Sequence, residues 1–188
     1  MSMLFSLRRV SNDDLQHLIA DPSDIHFFLY GIEPYQAKPS LFKRWLSGKK
    51  AQVPQQRNWQ APPTDMELDL EKNWHILHYL FCRYAWEGTL PEATLLAGGV
   101  NLGEMDVGYG PARVLQKEEI STFLAFLESL QKESFGLHIS AQEVEENQIY
   151  FQDWMPEYGQ TLWSYVLELR QFFKAAMDAG DGIILYMY

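Results

Sequence analysis

The sequence has little cysteine, few basic residues and no long apolar run. Cys82 is the single cysteine among 188 residues, which excludes an internal disulfide framework and a zinc site built from several cysteines. No apolar stretch approaches the roughly 20 residues that span a bilayer. The N-terminus, MSMLFSLRRV, has its arginines after a very short apolar stretch, the reverse of a secretory signal. We therefore expect a soluble, cytoplasmic protein with no membrane partner.

Acidic side chains outnumber basic ones, 25 to 15, which gives a net charge of -10. Hydrophobic residues make up 47% of the chain, enough to exclude a disordered protein and to bury the core of one compact domain. A surface of this sign repels polyanions, which argues against a nucleic-acid partner. The same surface suits a basic protein partner.

Residues 35–64 lack acidic side chains altogether and carry a charge of +6. The segment also contains four prolines, which disfavour regular structure beyond one short helix. We interpret it as a long surface excursion that packs against the acidic body of its own molecule. Alternatively, Trp45 and Trp59 make it a basic aromatic arm that meets phosphates and stacks on bases.

Local patterns predict about twice as many helices as strands. The predicted strands are 4–10, 112–115 and 183–188, and the clearest helices are 11–20, 22–30, 69–84, 117–131 and 162–179, with short ones at 40–46, 91–97 and 140–146. No regular β-α-β alternation is present, which argues against a doubly wound fold. We expect an α+β fold, a mostly helical single domain over 1–188. Its one small sheet is built from the N-terminal, central and C-terminal strands.

Two histidines three residues apart, His75 and His78, lie on the predicted helix 69–84. Imidazoles at that spacing can join a metal site, but the sequence offers no third ligand nearby, so we predict neither a metal nor a cofactor. His78 falls on the buried side of the helix. It is either a core histidine held by hydrogen bonds or an acid–base group in a pocket.

Sequence signatures of catalysis are otherwise lacking. Cys82 follows His78 by four residues, but two side chains that point the same way from one helix leave little room for a substrate. Neither a G-x-S-x-G elbow nor an H-E-x-x-H motif occurs. Catalytic residues thus stay unknown, and the sequence leaves open whether the protein is an enzyme.

The loop 106–113, with the sequence DVGYGPAR, offers a second constellation. Its glycines let the backbone bend sharply around Tyr109. Asp106 and Arg113 bracket the loop, where an ion pair between them would clamp the turn. Alternatively, Arg113 meets an anion that Tyr109 or Asp106 orients. The loop is not a phosphate loop, because no Lys-Ser or Lys-Thr follows its last glycine.

Several stretches together resemble one known family. Residues 69–80, DLEKNWHILHYL, match a D-L-x-K-x-W-x-x-L-H-x-L element, and residues 106–113 match a D-V-G-Y-G-P-A-R signature. The opening 3–10 and the ending 172–188 are also similar. These elements resemble the YfbM-like family of small bacterial proteins of unknown function. The resemblance covers most of the chain and is weakest over 35–64.

This resemblance implies an α+β fold, a bacterial and cytosolic setting, and no established activity. It supplies no catalytic residue. It does direct attention to the chemistry-bearing side chains inside the recognisable elements, which we take as candidate ligand-binding residues: Trp74, His78, Asp106, Tyr109 and Arg113.

Two hypotheses about function follow. The first is a non-enzymatic binding or interaction module that recognises a basic protein partner. The second is a small enzyme or anionic-ligand-binding domain with its site between the 69–84 helix and the 106–113 loop. The second hypothesis predicts one shared pocket to which His78 and Arg113 are both open.

Overall fold

One antiparallel sheet of five strands organises the structure, a computed structural model that describes residues 3–31, 63–151, 154–155 and 157–188. The strands are β1 (Phe5–Val10), β2 (Glu67–Asp69), β3 (Val100–Asp106), β4 (Pro111–Leu115) and β5 (Gly182–Met187). Their order across the sheet is β2-β1-β5-β4-β3. The first and last strands are therefore neighbours in the interior of the sheet, paired from Phe5↔Met187 to Val10↔Gly182.

Seven α-helices lie within the described residues. They are α1 (Asn12–Ala20), α2 (Ile25–Tyr30), α3 (Trp74–Cys82), α4 (Thr94–Ala97), α5 (Lys117–Ser129), α6 (Ala141–Glu146) and α7 (Tyr158–Ala179). Local chemistry sets several of their ends. The Ser11 hydroxyl accepts the Asp14 amide at the start of α1, and Gly31 ends α2 in the left-handed conformation.

Helices cover both faces of the sheet. On one face, Leu7, Leu115 and Leu185 join a large core with α3, α5 and α7. On the other face, Val10 and Ile184 pack with α1 and α2 in a smaller core. Alternate residues of each strand point to opposite faces, so both cores share the same strands. None of the helices in the described ranges is long and apolar enough to cross a membrane.

The predicted α+β fold is confirmed, with one sheet built from N-terminal, central and C-terminal strands. Several boundaries differ, two of them by four or more residues. The helix predicted over 69–84 begins at Trp74, because residues 67–69 pair with β1 as an edge strand. The C-terminal helix begins at Tyr158 rather than at residue 162. The predicted helix 40–46, and the basic segment before Pro63, lie outside the described residues.

A strand, β3, also runs through the glycine-rich stretch 98–110, where the sequence patterns predicted no strand. Gly103 explains this placement. Its φ is +74°, and a Cβ there would lie 2.5 Å from the Cβ of Pro22. The glycine lets the strand pass directly beneath the turn at residues 22–24, a close approach that periodicity does not reveal.

Candidate functional site

The two histidines of α3 contact loops on the face of the sheet that α3, α5 and α7 cover. The Tyr150 amide donates to Nδ1 of His75 at 2.8 Å, so Nε2 carries the proton and donates to the Ala85 carbonyl at 2.7 Å. The ring of half-exposed Trp86 covers this imidazole, with centroids 4.3 Å apart. Burial lowers the pKa of His75. His75 is therefore a neutral link between α3 and two loops.

His78 is fully buried, and its Nε2 lies 3.0 Å from the Glu87 carbonyl. Burial lowers its pKa to about 4, with further lowering from His75 and Arg113. The Cys82 thiol lies 3.3 Å from the same nitrogen, and burial raises the pKa of that thiol. Both groups thus stay uncharged at neutral pH, where neither a thiolate nor an imidazolium forms.

Arg113, on β4, binds the carboxyl end of α4. Its guanidinium donates to the carbonyls of Leu95 at 2.7 Å and Leu96 at 2.8 Å, and also to that of Gly98. These carbonyls have no partner inside so short a helix, so Arg113 caps it. One of the two alternatives was an ion pair between Arg113 and Asp106, and it is not present among the described residues. Arg113 binds α4 instead, and Asp106 binds the turn after β3.

Asp106 holds the turn that follows β3. Its Oδ1 accepts the amides of Gly108 at 2.7 Å and Gly110 at 3.0 Å, and these bonds lower the pKa of the carboxyl group. The Tyr109 amide donates to the Met187 carbonyl at 3.0 Å, while its side chain is 45% exposed. The turn is therefore fastened to the end of β5 with Tyr109 facing outward.

The five candidate residues do not surround one opening. Trp74 is fully buried and donates from its indole to the Met3 carbonyl. His78 is closed off, whereas Asp106 and Tyr109 lie at the surface. None of the five lines the cavity beside Leu90 and Thr94, the one beside Leu80 and Phe135, or the one between β2 and α7. Their assignment to a ligand site stays a prediction.

A polar surface on the opposite face of the sheet was not foreseen. We call it the tyrosine–carboxylate surface; exposed Glu67 and Asp69 and partly exposed Tyr30 and Tyr188 form it, above the buried Ser6 and Tyr186. It continues the face that α1 and α2 cover. Register places Ser6 beside Asp69 on one side and Tyr186 on the other. Three strands and the end of α2 therefore build it.

The three tyrosine rings of this surface are in mutual contact. Tyr186 and Tyr188 stack with centroids 5.7 Å apart, and Tyr30 meets both edge-on at 6.1 and 6.3 Å. The Tyr186 hydroxyl donates to Glu67 at 2.5 Å, and the Tyr188 hydroxyl lies 3.5 Å from Asp69. Tyr186 and Tyr188 are thereby held beside carboxylates, and Tyr30 packs against both of these rings.

The hydroxyl groups stay protonated and the surface stays negative. Burial, followed by the charges of Tyr188, Asp106 and Glu67, raises the pKa of Tyr30 to about 12. Burial and the bond to Glu67 also raise the pKa of Tyr186. Asp106 thus contributes a third negative charge that acts on Tyr30, from the end of β3 at the other edge of the sheet.

Two polar groups are buried beneath the rings. The fully buried Ser6 oxygen completes no hydrogen bond within the described residues. Arg8 donates to the carbonyls of Phe28 and Leu29 while its Nε has no partner there. Such unpaired buried atoms are rare in folded proteins. Both belong to the protein interior rather than to the surface above them.

One sequence signal pointed to this surface. Polar residues recur two apart in Ser6-x-Arg8, Glu67-x-Asp69 and Tyr186-x-Tyr188, and that is the period of one strand face. Local patterns predicted the first and last strands but not β2, so Glu67 had no assigned element and Asp69 was assigned to the helix 69–84. Among the described residues, no three His, Cys, Asp or Glu side chains converge to hold a metal ion.

Comparison with known proteins agrees with the fold. The model of the family described as Domain of unknown function (DUF1877) matches residues 1–186. A solved structure with a similar fold is that of YfbM from Escherichia coli, a protein of unknown function. It shares 16% sequence identity at a TM-score of 0.60 and covers 98% of this chain and 99% of that one. At this identity the likeness concerns the fold alone.

No curated protein matches the chain significantly. The predicted resemblance to the YfbM-like family is nevertheless confirmed by the structural match and by the family model. Because that model spans all but the last two residues, the chain belongs to the family of the domain of unknown function DUF1877.

Proposed function

We propose that this protein is a non-enzymatic binding module that recognises a basic protein partner through the tyrosine–carboxylate surface. The carrying observation is a cluster of three contacting tyrosine rings, of which Tyr186 donates to Glu67 and Tyr188 lies 3.5 Å from Asp69. As part of the same proposal, we place the protein in a bacterial cytoplasm.

The chemistry of this surface suits lysine and arginine side chains. An ammonium or guanidinium group over a tyrosine face gains about 0.5–1 kcal/mol at an exposed site, and a neighbouring carboxylate adds an ion pair. Rigid tyrosines also lose little conformational entropy on binding, which makes them effective anchors. The overall charge of -10 further steers a basic partner toward the protein.

The same observations favour binding over catalysis. Tyrosines with raised pKa values, about 12 for Tyr30, are poor proton donors at neutral pH. On the other face of the sheet, His78 is buried and uncharged, and Arg113 is occupied with three backbone carbonyls. The hypothesis of a small enzyme, or of an anion site between α3 and the 106–113 loop, therefore gains no support from the geometry.

The test uses three isosteric changes, Glu67→Gln, Asp69→Asn and Asp106→Asn, combined in one protein. Each retains a hydrogen-bond acceptor and removes a charge. The probe is a short labelled peptide of alternating lysine and glycine, followed by fluorescence anisotropy. We expect about tenfold weaker binding, since three exposed ion pairs contribute about 0.5 kcal/mol each.

The matched control neutralises three exposed glutamates elsewhere, Glu118→Gln, Glu128→Gln and Glu145→Gln. It changes the net charge by the same amount, so it isolates the position of the charges from their number. An equal loss of affinity in both triple variants would show that only net charge matters and would overturn the proposed surface.

A further inference from the structure

Within the part of the chain that the structure describes, β2 has a neighbouring strand on one side only. It ends the sheet, with β1 as its neighbour among the described residues. The Phe5 amide donates to the Glu71 carbonyl, and the Leu70 amide donates to the Phe5 carbonyl, so the backbone of Phe5 faces β2. In an antiparallel pair, the amide and carbonyl of every second residue point to the same neighbouring strand. The backbone of Leu7 therefore also faces β2, where Leu68 lies opposite it. The amides and carbonyls of Glu67 and Asp69 therefore point outward, away from β1.

A groove of about 380 Å³ runs between this edge and α7. Leu68, Phe172 and Ala175 give it an apolar floor. Acidic residues stand at its rims, with Asp65 on the strand side and Glu168 on the helix. It is larger than the cavity beside Leu90 and Thr94 and the one beside Leu80 and Phe135.

The single basic side chain in the groove is already neutralised. Arg9 donates from Nε and Nη2 to Oδ2 of Asp181, at 3.0 and 2.8 Å, and both side chains are nearly buried. The carboxylates of Asp65 and Glu168 thus leave the groove negative. Its charge is complementary to a cationic segment, and its floor is complementary to apolar side chains.

We propose that an extended, basic segment of a partner protein adds to β2 as a further strand of the sheet. Side chains of such a strand alternate between faces. On the face of Leu68, apolar side chains enter the groove. On the opposite face, that of Glu67 and Asp69, lysine or arginine side chains reach the tyrosine–carboxylate surface. This inference rests on the proposed function and specifies the partner as a segment of alternating apolar and basic residues.

The backbone pairing is tested with two variants at one position, Glu67→Pro and Glu67→Ala. Both lose the carboxylate, but only proline also loses the outward amide, and proline is tolerated on sheet edges. The probe is a short labelled peptide of alternating lysine and valine. We expect E67P to bind it about fivefold more weakly than E67A, the effect of one lost hydrogen bond. Equal affinities would overturn strand addition.

The groove is tested with Ala175→Trp, which fills the floor from the exposed side of α7. We expect the lysine–valine peptide to bind the unaltered protein more tightly than the lysine–glycine peptide. In A175W that advantage disappears while binding of the lysine–glycine peptide is retained. An advantage that persists in A175W would contradict the use of the groove.

A measurement on the unaltered protein keeps the test independent of how the variants fold. The lysine–valine peptide slows hydrogen exchange at the amides of Glu67 and Asp69 if it pairs with β2, and unchanged exchange there overturns the inference. The two proposals fail separately. If E67Q/D69N/D106N weakens binding but E67P equals E67A, the binding surface stands and strand addition falls. If neither peptide binds, both proposals fall.

Discussion

His78 shows how a residue with catalytic potential becomes part of the core. Its spacing from Trp74 and Phe81 predicted the buried side of α3, and the structure places it there with no exposure. The two interpretations that the sequence left open, core residue and acid–base group, differ in what surrounds the ring. That depends on the backbone of residues 85–87, and side-chain periodicity carries no information on it.

The buried imidazole of His78 makes the stability depend on pH. Its pKa is about 4 in the folded protein against 6.5 as the ordinary value, so between these values the unfolded chain binds a proton that the folded chain does not. The free energy of unfolding therefore falls as the pH drops from about 6.5 to about 4, by up to about 3 kcal/mol from this group.

Urea unfolding of the protein and of His78→Gln at pH 7 and pH 4.5 checks this expectation. The variant lacks the titrating group, so its disadvantage at pH 7 shrinks at pH 4.5. His75 and the carboxylates titrate in both proteins and cancel in the comparison. A stability difference that is constant with pH would show that His78 is not held neutral by the fold.

At the scale of elements, sequence patterns predicted helices better than strands. Helices α1 and α5 carry their own signals, such as the Ser11 cap and the apolar positions Ile120, Phe123 and Leu127. Strand β2 has only three residues, and it is a strand because Leu68 pairs with Leu7 far away in the sequence. Local propensity does not encode that pairing. The tyrosine–carboxylate surface escaped prediction for the same reason, since two of its carboxylates belong to β2.

The turn after β3 gives a prediction at this scale. Gly108 has a φ of +154°, and a Cβ there would lie 2.5 Å from the Met187 carbonyl oxygen. We expect Gly108→Ala to lower the free energy of unfolding by at least about 2 kcal/mol, because the strained backbone adds to a clash with main chain.

Gly110→Ala is the matched control in the same turn. Its φ is also positive, +107°, but nothing lies within 4 Å of the added Cβ. We expect a cost of about 1 kcal/mol from backbone strain alone. Denaturant unfolding of both variants measures the difference, and equal costs would show that the turn is not packed against β5.

For the whole molecule, the pairing of β1 with β5 is the feature on which the fold depends. Strand β5 joins β1 to β4, and its side chains Ile183, Ile184 and Leu185 enter both cores. Without it the sheet separates into two hairpin-sized pairs, which are marginally stable in water.

Removal of residues 183–188 therefore abolishes cooperative unfolding, whereas removal of Met1 and Ser2 leaves it intact. Thermal melts followed by near-ultraviolet circular dichroism distinguish the two truncations. A shortened chain that still melts in one sharp transition would mean that β1 and β4 close the sheet without the terminal strand.

The position of β5 also has a consequence for how the protein is made. A ribosome produces the four other strands first, and the strand that belongs between β1 and β4 emerges last. Until then the nascent chain exposes Leu7, Val114 and the apolar sides of the helices that will cover them. Folding of the sheet therefore waits until β5 has been synthesised, and during that wait the chain is a substrate for chaperones.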